Sequence, residues 1–519
     1  MKILAVNRRT LLVGVAGAAA STVLGRPAFA QKAGGEAIVA QQAAPATLDA
    51  MTTSLQAARN ISMHIFETLY TRGESGSVIS ALASDCTASP AFDSFTFHLR
   101  QGVPFHNGKE MTSADVKASL ERYQKVGGSA QILKSVSSIE APDKYTIVVK
   151  LNQAVPGFLS FISSPRAPMV VMPAEEAAKE VNKAALIGTG PYQFVEYRPD
   201  SHVLLKRFAN YAADDRFAGP DGFGGKKTAY LEAIRFRFMP ESSARAAALQ
   251  AGEVHALEQL ATTDAKRLKS NASVNLYEMT PWAIQTFFLN ANEAPTNNVK
   301  FRQAVLAALG TEEIMAIATD NLYRLVPSWQ YPGSDYFTEE QDPNLYNVNN
   351  ADRAHSLLKE AGYKGEPFTL LTDNSYKNDN DASVIASQHL QAVGINVKLQ
   401  VADWPTVVAA RTKPTGWNMF PIFIGVEPWE GPFSTTTFFT GQNNWQMKQD
   451  PVLDALSVKL STAPTKEAQK QAFAEFQHHL MEQAYAINLG ELGIYQATRA
   501  NLTGYRPFRI PRMWDVSFT

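Results

Sequence analysis

The residues of this chain that have the types for catalysis do not have its spacing. There is no G-x-S-x-G nucleophile turn and no H-E-x-x-H zinc helix. His478 and His479 are adjacent, so on a helix they point to different faces and cannot chelate together as an i, i+4 pair would; they read as surface residues. Gly222-Phe223-Gly224-Gly225 lacks the strand–helix frame of a phosphate loop and reads as a flexible turn. Cys86 is the single cysteine, which rules out an internal disulfide or a cysteine-rich zinc site; it reads as a small hydrophobe in a packed strand. No enzyme activity, cofactor or metal is expected. What remains is aromatic. All seven tryptophans lie between Trp282 and Trp514. Trp404 follows the apolar strand Ile395–Val401, Trp417 precedes a strand over Asn418–Gly425, and Trp429 lies in the loop after it. Core packing is one reading of such residues. The other is an aromatic wall, which accepts varied solutes without strict directional demands.

The elements that must position these residues alternate along the chain. Phe95–Leu99 and Lys144–Leu151 alternate like strands. Thr112 or Ser113 caps a helix that runs to Tyr123, with Asp115 at its positive end. Helices over Ser242–Ala251 and Asp352–Ala361 stop at Gly252 and Gly362, and Gln388–Ala392 stops at Gly394. Lys466–Gln483 is a long amphipathic helix. The pattern is mixed α/β without a short repeat. Ala212–Lys227, rich in Gly, Asp and Lys, reads as a solvated surface excursion.

The first thirty residues read as an export signal. A basic start with Arg8-Arg9 is followed by a short Ala/Gly-rich apolar run and ends Ala28-Phe29-Ala30, an A-x-A cleavage pattern. The arginine pair and Arg26 before the cleavage site resemble a twin-arginine signal, although Asn7 stands where Ser or Thr is usual; a Sec signal is the alternative. No cysteine near position 31 offers a lipid anchor, and no later stretch is apolar enough to span a bilayer. Beyond residue 30, 44 basic residues face 49 acidic ones, with no cluster suited to nucleic acid or a membrane surface. The expected product is a periplasmic protein, freely soluble and monomeric.

The segment Phe95–Lys117, FTFHLRQGVPFHNGKEMTSADVK, closely resembles the signature of the extracellular solute-binding proteins of the oligopeptide, dipeptide and nickel class, family 5, which serve ABC importers. Further blocks resemble that family in order: Gly188–Tyr192, Phe208–Tyr211, Ser242–Glu253, Phe288–Asn290, Val299–Ala304, Leu357–Tyr363, Leu390–Lys398, and Asn501–Tyr505 with Trp514. The resemblance implies a type II, two-lobed periplasmic binding protein of the large cluster C form with an extra subdomain. Lobe I would hold residues 31–275, with an inserted subdomain at about 60–185, and residues 488–519 would return to it. Lobe II would be 276–487. The chain would cross the hinge near Tyr277–Asn290 and Ala486–Thr498.

The same resemblance implies the site. Trp404 matches a tryptophan that lines the cavity of oligopeptide-binding relatives. Glu427 loosely matches an aspartate that pairs with a peptide's ammonium, and the change to glutamate departs from the family pattern. Trp417 and Trp429 are further candidates for the ligand face. Arg59 and Asn60 lie on a segment that faces the cleft in relatives, where Arg59 would receive an anionic group. The implied function is capture of a short peptide or another small polar organic solute for an importer's transmembrane subunits. The alternative is a non-peptide ligand, such as an opine, a glycoside or an aromatic acid. Gly416–Trp445 holds no histidine, which disfavours nickel. A sensor that presents ligand to a chemoreceptor and a periplasmic hydrolase are the rivals from other classes.

Overall fold

The computed structural model describes residues 33–425, 431–441 and 444–519. Its centre is an 11-stranded sheet that runs through both lobes. Two long strands, Val274–Leu289 and Ala486–Arg499, make the connection. They pair antiparallel from Val274 opposite Arg499 to Phe288 opposite Ala486. On one side the sheet continues through Ala256–Leu260, Glu36–Gln41, Ala233–Phe238, His202–Arg207 and Tyr192–Arg198. On the other side it continues through Met419–Gly425, Phe368–Asp373 and Val397–Ala402.

The register of the two long strands slips between Met279 and Ala283. Pro281 falls in that gap and has no N–H to give to the ladder. Gly493 lies close by, and a Cβ there would meet the Thr280 hydroxyl at 2.5 Å. Gly490 takes φ +128°, and a Cβ there would sit 2.8 Å from the Arg324 carbonyl. Gly490 lets the backbone at Arg324 press against the ribbon, and Gly493 leaves room for the Thr280 and Leu322 side chains.

A separate four-stranded antiparallel sheet carries Ala83–Ala88, Ser94–Leu99, Thr146–Leu151 and Val136–Asp143 in that spatial order. The helix Ser113–Val126 packs on it, and the Asp115 carboxylate accepts from the Thr112 backbone N–H at 2.9 Å as the capping pattern predicts. Cys86 is half-buried opposite Phe97, and burial pushes its thiol up to about 12, which leaves it protonated and inert. A buried Arg122–Asp49 pair at 2.6 Å ties the helix to the N-terminal segment.

One apolar core runs from Ala37 to Phe238 and takes in Leu502–Val516 from the C-terminal tail. A second gathers Phe287, Phe301, Phe368 and Met419. A third is aromatic: Phe288 lies 5.5 Å from Phe420 and 5.1 Å from both Phe439 and Trp445. Such ring pairs add roughly 0.5–1.5 kcal/mol each beyond their buried area. Ala43 and Ala57 join this third core from the N-terminal lobe, so the lobes touch.

Four local readings change. The helix expected at Gln388–Ala392 starts eleven residues earlier, at Lys377; its polar first half, KNDNDAS, carries little apolar periodicity. Gly222–Gly225 is not a loose turn. Phe223 is 1% exposed and packs against Phe508 and Trp514, and the Gly222 carbonyl accepts from Arg512. The excursion at 212–227 is therefore docked, with Lys227 buried against Glu67 at 3.2 Å. His479 is partly buried and bonded to Asp450 at 2.9 Å, while His478 is half-exposed.

Candidate functional site

A cavity lies where the two long strands meet both lobes. The N-terminal lobe supplies Gln56 and Arg59 from the start of helix Gln56–Ile65. Arg166 enters from the segment after helix Phe158–Ile162, and Arg509 from the C-terminal tail. The hinge contributes Trp282 and the strand end Ile422–Gly425. The second lobe contributes Tyr376, Trp404, Phe438 and Trp445. Across the gap the Arg166 guanidinium lies 5.6 Å from the Phe438 ring, and Phe161 meets Phe433 edge-on at 4.9 Å.

Local sequence explains how each group is held. Asp403 caps helix Trp404–Arg411 by accepting from the Thr406 N–H at 2.8 Å, with Pro405 in the first turn, so Trp404 is fixed at the helix start. Its ring meets Tyr376 edge-on at 5.0 Å. Its indole N–H is buried and has no acceptor among the described residues. Arg509 donates to the Trp282 carbonyl at 2.6 Å and lies 5.0 Å over the Trp282 ring. Arg59 donates to Gln56 Oε1. Neighbouring positions on one helix face differently, and Asn60 turns into the interior. It donates to Gln41 at 3.3 Å and accepts from Gln56 at 2.7 Å.

Of the six residues singled out in the sequence, Arg59 and Trp404 line this cavity. Asn60 lies behind it. Trp417 belongs to the packed core: it is 1% exposed, and its indole donates to the Lys413 carbonyl at 2.8 Å. Glu427 and Trp429 lie outside the described residues, as does the export signal. Arg166, Trp282, Trp445 and Arg509 line the cavity and were not anticipated. The one sequence signal was for Trp282, an aromatic beside Pro281 in a hinge segment.

A second group of buried charges sits around Tyr376. Glu258 is fully buried, and burial pushes its carboxyl up to about 7 against the opposing pull of Arg245. Burial raises Asp373 to about 6 and Asp379 well above the usual carboxylate range, with the Asp373 charge adding to the second shift. Gln285 donates to Asp379 at 2.7 Å. No group of three or more His, Cys, Asp or Glu among the described residues is placed to hold a metal ion, and no described helix is long and apolar enough to cross a membrane.

The architecture has close counterparts among solved structures. The agropinic acid complex of AgaA from A. tumefacien R10 superposes with a TM-score of 0.81 at 22% identity, covering 93% of this chain and 99% of that one. DppA from Helicobacter pylori in complex with the peptide STSA gives 0.80 at 20% identity, covering 94% and 98%. Among sequence relatives, the probable peptide ABC transporter periplasmic-binding protein y4tO of Sinorhizobium fredii is 26% identical over 90% of this chain and 91% of its own length. The glutathione-binding protein GsiB of Salmonella typhi is 24% identical over 94% of both. The profile of the bacterial extracellular solute-binding proteins, family 5 Middle, matches residues 77–446, a span that takes in the whole four-stranded sheet, the long strand Val274–Leu289 and the aromatic wall of the cleft. With two lobes, one continuous hinge sheet and a cavity between them, the chain belongs to family 5 of the bacterial extracellular solute-binding proteins.

Proposed function

We propose that this protein captures a short peptide or similar small polar organic solute in the periplasm and delivers it to an ABC importer. The observation that carries the reading is the cavity walled by both lobes at the hinge, with Trp282, Trp404 and Trp445 as its apolar wall. Arg59 and Trp404 are the contacts expected from the sequence, and Glu427 and Trp429 would complete them. A ligand that bridges the lobes favours the closed arrangement by its differential affinity for it. The relatives named for peptides and for glutathione support the same role. The mature chain would start at Gln31, and lobe I would comprise 31–275 and 488–519 around lobe II at 276–487. Export by the twin-arginine route predicts that Arg8→Lys with Arg9→Lys blocks secretion.

A non-peptide ligand is the second reading. It is favoured by the absence, among the described lining residues, of any carboxylate to meet a peptide's ammonium. Native mass spectrometry of the freshly purified mature protein tests both readings, since a deep cleft retains its solute. Adding that solute to stripped protein should reduce the radius of gyration in small-angle scattering and raise the melting temperature by mass action. A tight ligand that leaves the scattering curve unchanged would sink the clamp.

A further inference from the structure

We infer that a second cavity, on the opposite face of the hinge sheet from the cleft, sets how readily the cleft opens, and that Ser242, Ala318 and Asn378 in its wall tune solute affinity without touching the solute. This rests on the capture reading above and adds a control point to it. The two faces follow from neighbouring residues on single strands, which point to opposite sides. Val39 shares a core with Ile61 of helix Gln56–Ile65, and Ala57 of the same helix packs in the core of Phe288, Leu371 and Trp404. That is the cleft side. The adjacent residues Ala40, Phe287 and Leu370 belong to other cores, with Leu249 of helix Ser242–Ala251 and with Ala382 of helix Lys377–Ala392. The second cavity lies on that side. Ser242 and Arg245 line it from the first lobe, Ala318 and Asn378 from the second, and Leu492 and Ile494 from the long return strand. At its wall the Thr262 hydroxyl of the first lobe donates to the Thr319 carbonyl of the second at 3.3 Å, so the lobes also meet behind the hinge.

On the cleft side the lobes are in contact: Phe161 of the first meets Phe433 of the second at 4.9 Å. Rotation of two packed lobes about one ribbon has a fixed sign. Whatever parts the cleft walls brings the helices behind the hinge together. Packed cores do not give way, so opening must use the space in the second cavity. Two buried oxygens face that space from opposite lobes, Ser242 Oγ and Asn378 Oδ1, and neither has a hydrogen-bond partner among the described residues. A buried polar atom left unpaired is costly. One of these is a hydroxyl donor and the other an amide acceptor. Narrowing of the gap lets them pair, which favours the open form when no solute is bound. Bulk placed in the gap has the opposite effect and holds the cleft shut.

The test is small-angle scattering of the mature protein stripped of solute, with nothing added. Ser242→Met and Ala318→Met each place a flexible side chain in the cavity, one from each lobe. Either should lower the radius of gyration of the solute-free protein toward that of the solute-bound parent, while the melting temperature shows the fold intact. Ser242→Ala, which removes the hydroxyl and adds no bulk, should give a smaller shift in the same direction. Should Ala318→Met fail to fold, Ser242→Met carries the test, because that residue is only half-buried at the start of its helix. A closed fraction raised from about 1% to about 10% would tighten the apparent affinity for the solute recovered from the parent about tenfold. A folded Ser242→Met variant whose solute-free scattering matches the parent, or is more extended, would overturn this inference. Capture would still stand if the parent itself compacts on adding back its recovered solute. A parent that does not compact would overturn the clamp and this inference together.

Discussion

The cleft and the pocket of buried charge around Tyr376 share aromatic neighbours but handle charge in opposite ways. In the cleft the buried groups are guanidiniums: Arg59, Arg166 and Arg509 in the wall, and Arg411 behind it. Around Tyr376 they are largely carboxyls: Glu258, Asp373 and Asp379. Burial pushes each of those carboxyls toward its neutral form, so the protein relieves the cost by holding a proton. A guanidinium has no such outlet. Burial lowers Arg411 only to about 10, which leaves it charged at neutral pH. One region can answer burial by taking up protons, while the other stays charged.

The aromatic frame that the cleft shares with the core gives the largest expected effect. Trp282 is 4% exposed, belongs to the second core and lies beneath Arg509. Trp282→Ala should destabilise the protein by about 3–5 kcal/mol in urea unfolding. A loss below about 1 kcal/mol would show that the ring serves the ligand alone.

Next comes the wall itself. Trp404→Ala should weaken the natural solute by about 1–3 kcal/mol in calorimetry through lost apolar contact. Glu427→Gln separates the ligand classes. A peptide held by its ammonium would lose about 2–5 kcal/mol, whereas a non-peptide solute without an ammonium should bind about as before.

The carboxyl region predicts smaller changes. Because burial raises Asp379 well above the usual carboxylate range, Asp379→Asn puts a neutral side chain where the fold favours the neutral form, and its amide oxygen can still accept from Gln285. Its unfolding free energy at pH 7 should stay within about 1 kcal/mol of the parent. A larger loss would mean that the ionised form is the one folding selects.

The last effect is a slope. Glu258 titrates at about 7 in the fold against an ordinary 4.5, so the folded state holds the extra proton between those values. Its contribution is fully present below about 4.5 and is lost as pH rises through about 7. The melting temperature of Glu258→Gln minus that of the parent should thus climb from pH 5 to pH 8. His64 acts in the other direction: it is fully buried, accepts from the Met513 N–H, and burial lowers it to about 3, so its contribution fades as pH falls below 6.5. A flat difference curve for Glu258→Gln would place that carboxyl in contact with solvent.

What was legible in the sequence was local. The stops at Gly252 and Gly362, the cap at Thr112 and Asp115, and the strand–helix alternation each depend on a few adjacent residues. Trp404 was found because family likeness marks its position, and Asp403 and Pro405 hold it there. Arg166, Trp445 and Arg509 were not legible. Their segments are far apart in the chain and meet only once the two hinge strands have brought the lobes together. Phe223 misled for the opposite reason. A lone aromatic among glycines carries no periodicity, and its partners Phe508 and Trp514 lie near the far end of the chain.

The pairing of Val274 with Arg499 has a consequence for how such a protein can be inherited. The chain departs into its second lobe and comes home at two facing positions of one ladder. Everything between them is a single uninterrupted stretch of coding sequence whose two ends already stand side by side. Recombination at those two points would exchange a whole ligand-facing wall as one cassette, so long as the incoming return strand still pairs with Ala256–Leu260 as Ala486–Arg499 does.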